Sequence, residues 1–391
     1  MELGRIPNRL FVVNSLLQIL TQSFGKILQD HLFPVLREEL GAMSERHEQF
    51  VRALTVLQLD GFVSVQNGRG RPAHDRANIA RAFVAKAVFN FPHTRALIDR
   101  LRVDAVLRRL CGWETVAQIP DETVFSRAFA EFATSEFPQQ VHAGLIQRTQ
   151  AERLIGHICR DSTAIEAREK AQPKPKIAPQ ATPVRRSHHK TKKPKSPKEM
   201  TRLDRQCSGT MTVDQMLAEL PRACDAGCKT NSKGNKSYWV GYKLHLDVAD
   251  GQIPISCVLT SASVNDTQVA VPLAMLTAKR VTNLYDLMDA GYVSDQIREH
   301  SAQLGHVPLI PHRKNEAPEP LNPHQKVRFR ERTSVERVYS RLKDEFGGRF
   351  VRVRGWAKVM AHLTFGILAL TADQILRMVA PRETESLTLS P

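Results

Sequence analysis

The chain has 391 residues, of which 42% are hydrophobic, so it is not wholly disordered and is long enough for two or three domains. Its 56 Lys and Arg residues against 40 Asp and Glu residues give a formal charge of +16, which favours nucleic acid as a partner, with an acidic membrane surface second. No apolar run approaches the length of a membrane span and no signal peptide is recognised, so we predict no membrane association. Six cysteines without dense spacing indicate a reducing cytoplasm.

The first third of the chain is predicted to be helical, because apolar residues recur every three or four positions over residues 10–40 and 44–59. Similar patterns predict helices over residues 77–89, 95–110 and 121–132. Asp121 follows a proline and is a candidate N-cap. A compact helical region on a basic protein is typical of DNA-end readers of the helix-turn-helix type. We therefore predict a helical DNA-binding domain over residues 1–150.

One loop in this region carries closely spaced arginines, in the order Arg69-Gly70-Arg71-Pro72. Arginines in such a loop can enter a narrow, A·T-rich minor groove, which makes Arg69 and Arg71 candidate DNA-binding residues. An ordinary loop between two helices is the simpler interpretation of the same four residues. The sequence leaves both open.

The middle of the chain begins with a predicted buried strand, residues 154–163, which carries Asp161 near its end. Residues 171–200 then hold nine Lys and Arg residues, six prolines and one acidic residue. Such a composition cannot bury enough apolar surface to order the chain, so we predict a flexible basic insert at about 171–236. Two alternating stretches, 242–248 and 253–260, predict a hairpin after the insert.

Further elements complete an α/β order: a helix near 265–278, a strand that ends at Asp289, a helix from 294, a strand at 307–310 and a final charged helix. An antiparallel meander followed by α/β units is the RNase H-like arrangement, with a mixed five-stranded sheet. In it the first and fourth strands are neighbours, which brings Asp161 and Asp289 together. We predict this domain over residues 151–380, with a disordered tail at 381–391.

The charged helix carries Arg332, Glu336 and Lys343 at the spacing R-x3-E-x6-K. These side chains lie roughly on one helical face, an arrangement that suits a metal ion held beside a phosphate. A solvated ion-pair face is the alternative for Glu336, and a turn former for Asp161 taken alone. Three nearby acids are left out of the candidate site: Asp266, Asp286 and Glu331.

With these motifs the sequence resembles the insertion-sequence transposases of the DDE class that carry Y-x2-R-x3-E-x6-K. The resemblance rests on Ile119-Pro120-Asp121-Glu122-Thr123-Val124-Phe125-Ser126-Arg127, Asp161-Ser162-Thr163, Gly241-Tyr242-Lys243-Leu244-His245, Asp289-Ala290-Gly291-Tyr292 and the Glu336 stretch. It implies that Asp161, Asp289 and Glu336 bind the metal and that Arg332 and Lys343 contact the transposon end. Phe329 stands where the family has tyrosine, so one hydroxyl is missing.

The resemblance implies a DNA transposase that hydrolyses the transposon end and then transfers its 3′-hydroxyl into target DNA. Two Mg²⁺ ions, for which Mn²⁺ can substitute, would stabilise the attacking and leaving oxygens, with Asp161 as the bridging ligand. We expect a homodimer on the DNA ends, in a nucleoid-associated cytoplasmic protein. A simple Mg²⁺-dependent nuclease and a non-catalytic DNA-binding derivative are the alternatives.

The cysteines raise a separate question, because Cys224 and Cys228 are closely spaced and Cys207 lies upstream. Zinc binding is one interpretation, but no second tight pair completes the site, so unpaired thiols are the default.

Overall fold

A computed structural model of the chain describes residues 32–63, 74–173, 200–230, 234–312 and 321–379. The helices are α1 Phe33–Leu40, α2 Glu45–Leu57, α3 Arg76–Val88, α4 Thr94–Val103, α5 Ala105–Leu110, α6 Glu122–Thr134, α7 Phe137–Gln150, α8 Arg202–Cys207, α9 Val213–Ala218, α10 Thr267–Ala278, α11 Asp295–Gln303, α12 Pro323–Arg330, α13 Ser334–Asp344 and α14 Trp356–Val379. The strands are β1 Leu154–Glu166, β2 Asp225–Thr230, β3 Lys236–Ala249, β4 Ile253–Ser261, β5 Thr282–Met288 and β6 Val307–Leu309.

The described N-terminal part is helical, as predicted, and side-chain caps fix where several helices begin. Ser44 caps α2 through the backbone amide of His47, and Asp75 caps α3 through that of Ala77. The predicted helix over 95–110 is two helices, because Asp104 adopts an extended backbone and its carboxylate accepts from the amide of Leu107, which starts α5. Helix α7 was not predicted. Residues 1–31 and the arginine loop fall outside the described residues.

The sheet is mixed and runs in the order β4–β3–β1–β5–β6, with β2 paired to the first half of β3. Strands β3 and β4 form the predicted antiparallel hairpin, and β3 is also antiparallel to β1. Strand β5 lies parallel to β1, with Arg160 opposite Met288. This confirms that the first and fourth predicted strands are neighbours.

Residues 200–230 correct the prediction of a flexible insert that extends to 236. They form α8, α9 and β2, so the sheet has six strands and not five. Thr201 and Thr212 begin the two helices with capping boxes, and α9 buries Val213 and Met216 in the layer beside α10. The low-complexity composition stops at about residue 200, so it predicted nothing about the segment beyond. Residues 174–199 lie outside the described residues.

The last helix, α14, corrects the prediction that no apolar run approaches the length of a membrane span. Residues Trp356–Met378 are long and apolar enough to cross a membrane, but 83% of the most apolar window is buried inside the protein. Helix α14 packs against α2, α3, α6, α7 and β4. A helix that is apolar all round is typical of a protein core when other elements cover it.

The buried side chains of the helical region and of the sheet form one hydrophobic cluster. It includes Phe83 and Leu145 from the N-terminal helices, Leu246 from β3 and Phe365 from α14. Among the described residues, the predicted boundary at 150 therefore separates classes of secondary structure but not two cores. The elements on either side of it hold each other in place.

Candidate active site

Two carboxylates meet where the parallel pairing of β1 and β5 ends. Arg160 and Met288 are the last register partners, so Asp161 and Asp289 are the next residues along each strand direction. Strand β1 itself continues past Asp161 to Glu166, beyond the predicted strand end at residue 163, because β3 pairs with it there. Asp289 directly follows β5, and its carboxylate accepts a hydrogen bond of 2.8 Å from the amide of Gly291, which holds the following turn. Carboxyl ends of parallel strands are where open α/β sheets place their ligands.

Asp161 lies on the sheet face that α13 covers. On that face Ser334 donates to the sulfur of Cys159 at 3.2 Å, and Lys343 donates to the hydroxyl of Thr163 at 2.7 Å. Since side chains alternate along a strand, Asp161 shares this face with Cys159 and Thr163. The α13 helix and the strand-end carboxylates are thus on the same side of the sheet.

The opposite face of β1 holds a complete buried ion pair. Arg160 donates to both carboxylate oxygens of Asp247 at 2.8 and 2.7 Å, and Thr277 donates to the same carboxylate at 2.6 Å. The Arg160 guanidinium also lies 3.7 Å from the sulfur of Met288. Because the backbone stays extended at Asp289, its side chain points away from this pair, towards the side of Asp161.

The charge of Asp161 is disfavoured by its surroundings. Its side chain is buried, and this burial is the main cause that raises its pKa to about 6; the Asp289 carboxylate raises it further, while the amide of Ser162 opposes the shift. Within the described part of the chain, no cationic side chain forms an ion pair with Asp161. A buried carboxylate that faces another carboxylate without a counter-ion suits a cation with hard oxygen ligands.

A third carboxylate at this edge, Asp266, was left out by the sequence prediction. It precedes α10 and accepts hydrogen bonds from Ser162 at 3.0 Å and Lys243 at 3.1 Å. A Cβ built on Gly291 would lie 2.9 Å from Asp289 Oδ1 and 3.8 Å from Asp266 Oδ2, so these acids flank the same glycine. Strand β4 runs in the same direction as β1, so the chain after β4 reaches the edge where Asp161 lies. This topology was the feature by which the sequence could have indicated Asp266.

The excluded acid Asp286 has a structural place. It is buried inside β5 and accepts hydrogen bonds from Asn283 at 3.1 Å, from Ser301, and from His306 at 3.1 Å. These partners lie beneath the strand end and saturate the carboxylate. The choice of Asp289 over Asp286 as the strand-end residue agrees with these contacts.

Helix α13 runs alongside β1 in the same direction. From Ser334 to Lys343 the helix advances about 13 Å, and from Cys159 to Thr163 the strand advances about the same distance, so the two end contacts match. Between them, the hydroxyl of Tyr339 donates to the carbonyl of Asp161 at 2.6 Å. The backbone of α13 is therefore fixed against the strand that carries Asp161.

Glu336 lies on α13 between these contacts, about level with Asp161, but its carboxylate is directed to solvent. Its side chain is 57% exposed and is 3.7 Å from the guanidinium of Arg332. No group of three or more acidic, histidine or cysteine side chains that could hold a metal ion occurs in the described ranges. The structure thus brings Asp161 and Asp289 together and leaves Glu336 on the adjoining helix.

The residues around Glu336 occupy three consecutive pieces of helix. Phe329 belongs to α12 and packs against the hydrophobic core, as expected for a ring without the hydroxyl. Arg332 lies in the 3₁₀ turn Glu331–Thr333, which corrects the placement of Arg332 and Glu336 on one regular helix. Lys343 is half-buried, and burial is the main cause that lowers its pKa.

The arginine loop and the cysteines are the remaining candidate sites from the sequence. Arg69 and Arg71 lie outside the described residues. Cys224 is buried, Cys207 is half-buried and Cys228 is exposed, and all three are free thiols.

The strand order defines a mixed α/β fold in which two carboxylates follow the parallel pairing of β1 and β5. Residues 152–372 match the family model described as a transposase DDE domain, and residues 37–131 match that of a transposase domain, DUF772. The first match covers more than half of the chain, so the chain belongs to the family of proteins with a transposase DDE domain. Comparison with curated proteins and with solved structures found no match in either set.

Membership has consequences for the fold, the partner and the cofactor. A DDE domain implies an RNase H-like fold, which fits the order β4–β3–β1–β5–β6. A transposase implies DNA as the partner, and DDE domains generally use divalent metal ions. The facing carboxylates of Asp161 and Asp289 have the donor chemistry that such ions prefer.

Proposed function

We propose that this protein is a DNA transposase that cleaves phosphodiester bonds at the ends of an insertion sequence and transfers the freed 3′-hydroxyl into target DNA. The observation that carries the proposal is the pair of carboxylates, Asp161 and Asp289, that directly follow the last register partners of two parallel neighbouring strands within the DDE domain. Burial of Asp161 beside a like charge has a cost, and a bound cation would offset it.

In this proposal Asp161, Asp289 and Glu336 hold two Mg²⁺ ions, for which Mn²⁺ can substitute. Bound in pairs, such ions stabilise the attacking and the leaving oxygen of an in-line displacement. Asp161, the most enclosed of the three, would bind the ions together with Asp289 and Glu336. The amide of Gly291 donates to the Asp289 carboxylate and orients it.

Glu336 joins the site by a change of side-chain rotamer, without movement of its helix. Ser334 and Lys343 tie α13 to β1 at Cys159 and Thr163, on either side of Asp161, so the Glu336 backbone is held beside this part of the strand. In the described structure Glu336 forms an ion pair with Arg332 at 3.7 Å on the protein surface. Such an exposed pair contributes little energy. Cations and DNA at the site would replace that pair, and Arg332 would then contact a phosphate.

The remaining parts of the proposal concern partners and location. Arg332 and Lys343 contact the DNA backbone near the scissile bond, which positions the DNA but does not read its sequence. The helical region recognises the terminal repeat, with Arg69 and Arg71 in a minor groove, and two copies of the chain assemble on paired ends. The protein acts in the cytoplasm at the nucleoid.

The experiment is a cleavage and joining assay with Mg²⁺ and DNA that carries the repeats flanking the coding region. Asp161→Asn, Asp289→Asn and Glu336→Gln should each reduce cleavage by at least about 10³-fold, because each removes a charge that acts only in the reaction. DNA-end binding without metal should stay within about three-fold of the parent protein. Glu331→Gln is the matched control for Glu336→Gln, since it is an exposed acid one turn away.

Three outcomes would contradict the proposal in different ways. A variant that cleaves near the parent rate removes its residue from the site. Cleavage without joining would identify a simple nuclease. Binding by the parent protein without any cleavage, in Mg²⁺ or Mn²⁺, would identify a DNA-binding derivative of a transposase.

A further inference from the structure

A pocket of about 540 Å³ lies where the helical region meets the C-terminal part of the DDE domain. One wall comes from α3, α4 and α6, and the other from residues 346–365, which follow α13 and enter α14. None of the strand-end carboxylates lines it. Its floor is formed by the aromatic rings of the shared core, including Phe83, Phe129 and Phe365.

The charged side chains that line this pocket are mostly basic. They are Lys86, Arg168, Arg352, Arg354 and Lys358. Glu122 is the acid among the lining residues, and it already lies 3.7 Å from Arg95. None of the five cations has an ion-pair or hydrogen-bond partner within the described ranges. Cations gathered in this way without acids attract a bound anion.

Lys86 distinguishes this pocket from an ordinary basic surface. Its side chain is only 8% exposed, and burial lowers its pKa to about 8. His362 beside it is neutral, because burial, with Lys86 among the causes, lowers its pKa to about 3. The His362 ring donates to the carbonyl of Gly347 at 3.0 Å, which leaves the lysine without a counter-charge. A buried cation that lines a cavity without a partner is a strong predictor of an anionic ligand.

The pocket lies in line with the candidate active site. Strand β1 leads from Asp161 to Arg168, which lies just beyond the strand end, and α13 leads from Glu336 to Phe346 and Gly347. Ten helical residues cover about 15 Å, and seven strand residues cover about 23 Å at most. Since DNA advances about 3.4 Å per base pair, this separation corresponds to about four to seven base pairs.

We propose that this pocket holds a backbone phosphate of the DNA duplex whose scissile bond lies at Asp161 and Asp289, about four to seven nucleotides away. The inference rests on the proposed function and adds a second fixed point to it. Lys343 lies between the two sites on α13, so the cations follow one path from the carboxylates to the pocket. A single rigid contact to a phosphate at a set distance would fix where along the DNA the bond is cut.

The test uses the full chain and a 40-base-pair duplex with the sequence that flanks the coding region. Lys86→Met keeps the length of the side chain and removes its charge, and Arg352→Gln and Lys358→Gln remove exposed charges of the same pocket. Binding is measured by fluorescence anisotropy over a series of salt concentrations. Lys86→Met should weaken binding about ten-fold and reduce the salt slope by about 0.9, the value for one phosphate contact.

Two comparisons make the result specific to the pocket. Lys279→Gln removes an exposed charge at the far end of α10, which begins at the carboxylate edge, so it should leave the affinity and the slope unchanged. Ethylation of single phosphates should reveal one phosphate, about four to seven nucleotides from the cut, whose neutralisation weakens binding to the parent protein but not to Lys86→Met. Lys86→Met should fold at least as stably as the parent protein, so a loss of binding is not a loss of fold.

A free phosphate compound is the competing occupant of the pocket. A parallel experiment tests this with inorganic phosphate, pyrophosphate and ATP. If these raise the Tm of the parent protein but not of Lys86→Met, and DNA affinity is the same for both, the pocket binds a small anion and the proposal is overturned. Unchanged DNA binding by Lys86→Met, while the parent protein cleaves DNA, overturns the proposal and leaves the proposed function standing. A Lys86-dependent DNA affinity in a protein that never cleaves supports the pocket and contradicts the function.

Discussion

Arg160 and Asp161 are adjacent on β1 and both are buried, yet their charges have different surroundings on the two faces of the sheet. Arg160 meets Asp247 through two hydrogen bonds, and Thr277 donates to the same carboxylate. Asp161, on the other face, forms no ion pair within the described residues, and its burial together with the Asp289 carboxylate raises its pKa. The fold supplies an opposite charge for Arg160 and none in ion-pair contact with Asp161.

This difference separates structural charges from candidate binding charges. Burial alone does not distinguish them, because Arg160 is at least as buried as Asp161. What distinguishes them is whether the fold supplies an opposite charge with good geometry. Lys86 is the basic counterpart of Asp161, since it is buried among other cations and faces a cavity. The comparison therefore predicts opposite responses when each charge is removed.

The largest effect is expected for Arg160→Met, which breaks the complete pair. It should lower the free energy of unfolding by about 3–5 kcal/mol, because Asp247 is left as a buried, uncompensated charge. Urea denaturation followed by circular dichroism measures the change. The double variant Arg160→Met, Asp247→Leu should recover most of the loss. A single variant as stable as the parent protein would show that the pair is not what holds this face together.

Lys86→Met should raise the free energy of unfolding, and the size of this increase should depend on pH. The pKa of Lys86 is about 8 in the folded protein and 10.5 as its ordinary value, so the unfolded chain binds more protons between these values. Parent stability should therefore rise as pH increases from about 8 to 10.5. The variant should be more stable than the parent by about 3 kcal/mol at pH 7, and the difference should shrink towards pH 10.5. A difference that does not change with pH would contradict this account of Lys86.

Asp161→Asn should also stabilise the metal-free protein, by about 2 kcal/mol at pH 7.5, while it abolishes cleavage. The substitution removes a buried charge that the neighbouring carboxylate disfavours, at little change in volume. Thermal unfolding in the presence of EDTA measures the effect. The exposed acid Asp295 provides a matched control, and Asp295→Asn should change Tm by less than about 1 °C. A lower Tm for Asp161→Asn would mean that the carboxylate is structural.

The smallest effect on the reaction is expected for the two cations near Glu336, Arg332 and Lys343. Arg332→Ala should reduce single-turnover cleavage about ten-fold, because it loses both a charge and a planar, two-pronged donor. Lys343→Ala should cost less, since its ammonium is already bonded to Thr163. Arg332→Lys should restore part of the rate. Equal rates for Arg332→Ala and the parent protein would remove the main support for the R-x3-E-x6-K interpretation.

Much of the candidate site could be predicted because it depends on local patterns. The alternation of residues 242–248, the apolar run before Asp289 and the strand around Asp161 identify three strands. The RNase H-like arrangement then predicted that the strands of Asp161 and Asp289 are neighbours, as the structure shows. Asp266 was missed because an acid before a helix is usually read as a cap. Only its contacts with Ser162 and Lys243 distinguish it from one.

The sequence by itself predicted five of the six strands in their order along the chain, the helical character of the first third and the family to which the motifs point. These follow from periodicity, capping and spacing, which act over a few residues at a time. Tertiary structure alone decided that α14 is a shared core helix, that residues 225–230 add a strand, and that Arg160 is balanced while Asp161 and Lys86 are not. The reason is physical: the energy of a buried charge depends on what lies within a few ångströms in space, and that neighbourhood is assembled from segments far apart in the chain.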